Sequence, residues 1–325
     1  MATLAEVGEF ALIEEILQIA GRGAPGVRVG IGDDAAVLAL GPHVAVSTDT
    51  LTEHVHFERQ WLRPVALGRR AFRVAVSDLA AMGARPRYAL LSLSLPPDMA
   101  LADARAIVRG FDRDARGESV ALVGGNVSRG SEISLTVTVI GVVAERPVLR
   151  RGAMPNQPIA VTGTLGGAAA GVDLLAAGRR GGRLAEAYCL PPLRVGVGQE
   201  LARAGLAAAM IDVSDGLVQD LGHLCRASRV GAEIDLEAVP VAPGLRRVRS
   251  GVLRRTPLEY ALHGGEDYEL LVVLRDEEAL AGAIRLCRRH DCKLTRIGKI
   301  TAREGVAAKG GTLLEGGYDH FGMRA

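Results

Sequence analysis

The sequence predicts a mixed α/β protein of two domains, and three observations carry that expectation. Segments with strand-like and helix-like periodicity alternate along the chain instead of being sorted into blocks. The 325 residues, 48% of them apolar, suffice for two separate cores. Between Ala144 and Pro158 the sequence turns to prolines and clustered arginines (Arg146, Arg150 and Arg151), the composition of a boundary between units. Domains are therefore expected over residues 1–147 and 148–325. Several neighbouring strands look antiparallel, so an α+β arrangement stands beside a doubly wound sheet, and periodicity does not separate the two.

Each element has its own justification. In residues 6–20, Phe10, Ile13, Ile16, Leu17 and Ala20 share one helical face, with Glu14 and Glu15 turned outward. Residues 43–49 read as a short strand with a polar end, and residues 65–82 as a helix that stops at Gly83, with Pro86 barring its continuation. A second helix is expected over 101–116 and a strand over 119–123. The clearest strand is 133–143, where Ile133, Leu135, Val137 and Val139 alternate with Ser134, Thr136 and Thr138, the period of a half-buried sheet. In the second half, strands are expected at 159–162 and 268–274, and helices at 166–177, 194–205 and 220–228.

Composition excludes several functions. The formal net charge is +2, which argues against a nucleic-acid footprint or a polybasic membrane contact. Lysine occurs only at Lys293, Lys299 and Lys309, so neither a Walker-A loop nor a protein-kinase phosphate clamp precedes them. The four cysteines show no zinc-ligand spacing and read as reduced packing residues. The N-terminus lacks a basic region followed by an apolar core, and a soluble cytoplasmic protein is expected.

Chemistry is expected where acidic residues meet glycines near strand ends: Gly32-Asp33-Asp34, Ser47-Thr48-Asp49-Thr50, Ser77-Asp78 and Asp212-Val213-Ser214-Asp215-Gly216. Any one of these acids by itself reads first as a cap or as solvated surface at a turn. As a set they offer the hard oxygen donors that Mg²⁺ prefers, beside backbone that a ligand can approach closely. Gly124-Gly125-Asn126 and Gly264-Gly265-Glu266-Asp267 repeat the pattern. Without an early lysine, phosphate would be held by Mg²⁺, backbone N–H groups and selected arginines, which points to Mg²⁺-dependent chemistry on a phosphorylated nucleotide.

Read together, the segments resemble the thiamine-monophosphate kinase family. The resemblance runs through G-E-F-A-L-I at 8–13, G-I-G-D-D-A-A-V at 30–37, S-T-D-T-L at 47–51, V-H-F at 55–57 and V-S-D-L-A-A-M-G-A at 76–84. It continues through G-G-N-V-S-R-G at 124–130, I-D-V-S-D-G-L at 211–217, G-G-E-D-Y-E-L at 264–270 and G-Y-D-H-F at 317–321. It implies an N-terminal ATP- and Mg²⁺-binding domain whose mixed sheet pairs across a homodimer, and a C-terminal α/β domain that completes the site. ATP and thiamine monophosphate are the implied substrates and several Mg²⁺ ions the implied cofactor. Carried over position by position, Asp33, Ser47, Thr48, Asp49, Asp78, Asn126, Asp212 and Asp215 are the expected metal ligands. Gly125, Asn126, Arg150 and Ser214 are the expected ATP contacts, and His56, Glu266 and Tyr318 the expected contacts to thiamine monophosphate.

Bland readings compete at several positions: His56 as a core histidine beside Phe57, Tyr318 as a packing aromatic, Glu266 as a cap, Arg150 as a surface arginine. Two departures from the family pattern stand out. Asn126 takes the place of an aspartate and removes a negative charge from its metal site, and Val108 stands where the family often offers an aromatic ring near adenine. The implied reaction is a direct in-line transfer with no general base, because a phosphate oxygen is already nucleophilic at neutral pH. Another ATPase of the same superfamily, working through a phosphorylated intermediate, and a non-catalytic Mg²⁺-nucleotide sensor are the alternatives.

Overall fold

The structure, a computed structural model, describes residues 6, 9–21, 25–29, 37–39, 43–143, 146–248, 251–314 and 316. Asp33 and Tyr318 lie outside the described residues, as do the rest of G-I-G-D-D-A-A up to 36 and G-Y-D-H-F. The chain divides into two compact units, Met1–Leu79 with Arg85–Ala144, and Ala80–Ala84 with Glu145–Ala325.

In the first unit, β1 (Val27–Val29) and β2 (Val37–Leu38) form a small antiparallel pair. The main sheet is built from β3 (Val44–Thr52), β4 (Arg85–Leu95), β5 (Ala121–Arg129) and β6 (Ser134–Val142), in the order β3-β6-β4-β5. β4 and β5 are parallel and joined by the Leu101–Gly117 helix, whereas β6 runs antiparallel to both β3 and β4. The predicted alternation in β6 is realised: Leu135, Val137 and Val139 are buried, while Ser134, Thr136 and Thr138 face their counterparts on β3 in hydroxyl pairs. The Pro64–Ala81 and Leu101–Gly117 helices pack Phe72 edge-on to Phe111, with ring centroids 5.4 Å apart. Beside them, buried Asp114 accepts hydrogen bonds from Arg69 and Arg73, so its charge is compensated.

The second unit holds a six-stranded sheet in the order β12-β9-β11-β7-β10-β8. Its strands are β7 (Pro158–Thr162), β8 (Ala207–Asp212), β9 (Gly231–Ile234), β10 (Leu270–Leu274), β11 (Leu294–Thr301) and β12 (Gly305–Ala308). Only β12 and β9 pair in parallel; the other pairs are antiparallel. Every residue of β7 and β10 is buried, which matches their apolar composition on both faces and identifies them as the covered centre of the sheet. Both sheets are thus mixed, and the doubly wound parallel alternative is set aside.

Several boundaries differ from the sequence expectation for physical reasons. β3 does not stop at Asp49 but continues to Thr52, because its pairing with β6 extends to Thr52 opposite Ser134. Ser77 and Asp78 lie inside the Pro64–Ala81 helix and not at a strand end. The strand expected at 119–123 begins at Ala121 and runs through Gly124-Gly125-Asn126 to Arg129, held by β4 alongside. β4 itself escaped the sequence reading despite its alternating L-L-S-L-S-L; Pro86 is accommodated at its second position, beside an irregularity in the β6 register. The helix expected from Asp220 starts at Leu217, and Tyr268 precedes β10 in a left-handed conformation, φ 50°.

Candidate active site

In the first unit, Ala45, Ser47, Asp49 and Leu51 share one face of β3, while Thr48 and Thr50 point to the other. The Ser47 hydroxyl donates to the Asp78 carboxylate, joining the strand to the Pro64–Ala81 helix across 31 positions of sequence. Ser47, Asp49 and Asp78 are therefore brought to one side of the sheet. The Thr48 hydroxyl is engaged on the opposite side, 3.1 Å from the Thr138 hydroxyl. Asn126 lies at the far edge: β3 and β5 are separated by β6 and β4, three strand spacings or about 14 Å. Asp49 and Asn126 of one chain are thus too far apart to ligate a common ion. Gly125 sits against β4 so closely that a Cβ there would come within 1.8 Å of the Leu91 carbonyl oxygen. His56 follows β3, and its Nδ1 accepts the Thr52 N–H at 3.0 Å. An accepting Nδ1 places the ring N–H on Nε2.

In the second unit, β8 ends on Asp212, and the loop after it carries Ser214 and Asp215. It is organised by Asp220, whose Oδ2 accepts three successive backbone N–H groups: Ser214 at 3.0 Å, Asp215 at 3.0 Å and Gly216 at 3.1 Å. The same loop is tied to the diglycine segment, since Glu266 N–H donates to the Ser214 carbonyl at 2.7 Å and Tyr268 N–H to that of Val213 at 2.8 Å. Asp212, Ser214, Asp215 and Glu266 are thereby held near one another. Arg150 belongs to the same neighbourhood: with Arg226 it helps hold the His223 pKa low, behind the larger effect of burial. Its carbonyl also accepts the Ser228 hydroxyl at 3.1 Å.

Burial, reinforced by the charge of Asp212, pushes the Asp220 carboxyl up to about 8 against the lowering effect of the loop N–H groups. Crowded carboxylates of this kind are what a hard divalent cation relieves. Ligand atoms of Asp215, Asp220 and His223 lie within 4.8 Å of one another; the two carboxylates suit such an ion, while the imidazole nitrogen of His223 is a softer donor than a hard cation prefers. The sequence reading missed both Asp220 and His223. The available signal for Asp220 was an acid four residues after Gly216 at a helix start, where a carboxylate reaches back to free N–H groups. For His223 there was none.

Comparison with known proteins places these residues in a class. Residues 32–143 match the family model of the AIR synthase related protein N-terminal domain, and residues 155–311 that of the AIR synthase related protein C-terminal domain. The chain is thus a two-domain protein of the AIR synthase related class. Within it, the chain is 34% identical to thiamine-monophosphate kinase of Aquifex aeolicus, covering 98% of this chain and 99% of the relative. It is 37% identical to that of Escherichia coli O157:H7, covering 97% and 98%. The crystal structure of thiamine-monophosphate kinase from Stenotrophomonas maltophilia superposes with a TM-score of 0.84 at 35% identity, covering 95% and 98% of the two chains. AaThiL, solved in complex with AMPPCP and TMP, gives 0.77 at 32% identity over 99% of each chain. A hydrogenase maturation protein of E. coli, 20% identical, shares the fold with a TM-score of 0.79 over 94% and 96% of the two chains. The chain belongs to the thiamine-monophosphate kinase family, a family of phosphotransferases.

Proposed function

We propose that this chain transfers the γ-phosphoryl group of ATP to thiamine monophosphate, producing thiamine diphosphate and ADP with the help of several Mg²⁺ ions. The observation that carries the reading is near-full-length similarity to a protein solved with AMPPCP and TMP, together with retention of the oxygen-donor set. Asp33, Ser47, Asp49, Asp78, Asp212 and Asp215 would hold Mg²⁺, with Asn126 as a weaker, uncharged ligand; Thr48, whose hydroxyl faces Thr138 on the opposite side of the sheet, would join them only through its backbone. Bound Mg²⁺ supplies charge neutralisation for a reaction that brings two polyanions together and aligns the oxygens for in-line displacement. Gly125, Asn126, Arg150 and Ser214 contact ATP in this reading, and His56, Glu266 and Tyr318 orient thiamine monophosphate. None of them acts as a general base, because the acceptor oxygen is already deprotonated.

The proposal includes a homodimer formed through the four-stranded sheet. Val44 and Val46, 39% and 61% exposed on the outer face of β3, would be covered by the second copy. A cytoplasmic location goes with the substrates and with four free cysteines. The test is incubation of the protein with ATP, Mg²⁺ and thiamine monophosphate. One ADP per thiamine diphosphate is expected, with free thiamine a poor acceptor; ADP without thiamine diphosphate, or thiamine converted equally well, refutes the assignment.

A further inference from the structure

The segment from Gly264 to Tyr268 does not follow an ordinary turn. Gly265, Glu266 and Tyr268 have φ of 71°, 64° and 50°, the left-handed region that side chains other than glycine enter only at an energetic cost. Between the two strained residues lies Asp267, whose side chain points into the protein. Its Oδ2 accepts the Gly166 N–H at 2.7 Å and its Oδ1 the Ala168 N–H at 3.3 Å, where the ten-residue Gly167–Ala176 helix begins. Gly166 is itself left-handed, φ 81°, so it turns its N–H toward this carboxyl group at the positive end of the helix. On the other side, the backbone N–H groups of Glu266 and Tyr268 are tied to Ser214 and Val213. The kinked segment is therefore pinned from both directions, and Asp267 supplies the pin toward the helix.

Retaining a carboxyl group there is unfavourable. Burial, reinforced by the nearby charges of Glu269 and Glu266, pushes its pKa up to about 7 despite two N–H donors. A buried acid flanked by two strained residues, next to a residue read as a substrate contact, suits presentation of that residue better than it suits stability. We propose that Asp267 is a positioning residue that fixes the backbone of Glu266 and so presents the Glu266 carboxylate to thiamine monophosphate. The proposal rests on the thiamine-phosphate reading of the site.

The test compares Asp267→Asn, Glu266→Gln and the double variant by steady-state kinetics and by amide hydrogen exchange of peptides covering residues 262–270. Asp267→Asn is expected to raise KM for thiamine monophosphate by roughly tenfold or more while KM for ATP changes by less than about threefold. The double variant should be no worse than the worse single variant, because Asp267 acts through Glu266. Multiplying effects, or equal rises in both KM values, overturn the proposal. Exchange in 262–270 should speed up in Asp267→Asn and not in Glu266→Gln; unchanged protection in Asp267→Asn overturns it whatever the substrate. If wild-type protein makes no thiamine diphosphate, the kinase reading fails, and the exchange comparison still decides whether Asp267 pins the segment. Should Asp267→Asn not fold, adding Glu266→Gly relieves left-handed strain and should restore folding; a double variant that stays unfolded overturns the proposal.

Discussion

Removing the Asp220 side chain is the most direct way to test how the loop that follows Asp212 and carries Asp215 is held. In Asp220→Ala, three backbone N–H groups, those of Ser214, Asp215 and Gly216, lose the single oxygen that serves them at 3.0–3.1 Å. Gly216 is buried, whereas Ser214 and Asp215 are half-buried and open to compensation by water. A buried unsatisfied donor costs about 1–3 kcal/mol and a partly hydrated one less, so the sum is about 2–4 kcal/mol. Asp220→Asn keeps an oxygen acceptor of the same reach and avoids burying a charge, and should cost less than about 1 kcal/mol. Urea unfolding at neutral pH, followed by circular dichroism with Mg²⁺ chelated, separates the two variants. An alanine variant within about 0.5 kcal/mol of wild type, at unchanged denaturant sensitivity, refutes the view that this carboxyl group organises the loop.

Asp49→Asn should fold normally, lose roughly 10² in kcat and need more Mg²⁺ for half-saturation; a normal Mg²⁺ titration removes Asp49 from the site. His56→Ala should raise KM for thiamine monophosphate more than KM for ATP, and equal changes with a large drop in Tm would return His56 to a packing role. Gly125→Ala brings a methyl group within 1.8 Å of the Leu91 carbonyl oxygen, so β5 must shift from β4, and a loss of about 2 kcal/mol or more is expected in thermal or urea unfolding. The pH dependence of stability tests Asp267. Its folded pKa, about 7, lies above the ordinary carboxylate value of 3.8, so its contribution is fully present below about pH 4 and is lost as pH rises through 7. Wild-type stability should fall over that window more steeply than that of Asp267→Asn, and parallel pH profiles would contradict the assignment.

Local pattern was enough for much of this protein. The alternation of Leu135, Val137 and Val139 with serine and threonine specifies a strand with one buried face, because side chains in a strand alternate whatever the partner. Helices 65–82 and 101–116 were legible to within a residue or so, since their apolar faces, glycine stop and proline boundary are local signals. The ordered motifs likewise carried the family. What only the tertiary structure decided depends on contacts between segments distant in sequence. Ser47 meets Asp78 because a strand packs against a helix 31 residues later, and Asn126 stands apart from Asp49 because two strands intervene in the sheet. β4 went unseen because Pro86 reads locally as a break, yet at the start of a strand the missing N–H is tolerated. Asp220 and Asp267 look like ordinary acids in the sequence. Their unusual protonation arises from burial and from charges and N–H groups that folding brings to them, and no local pattern encodes that environment.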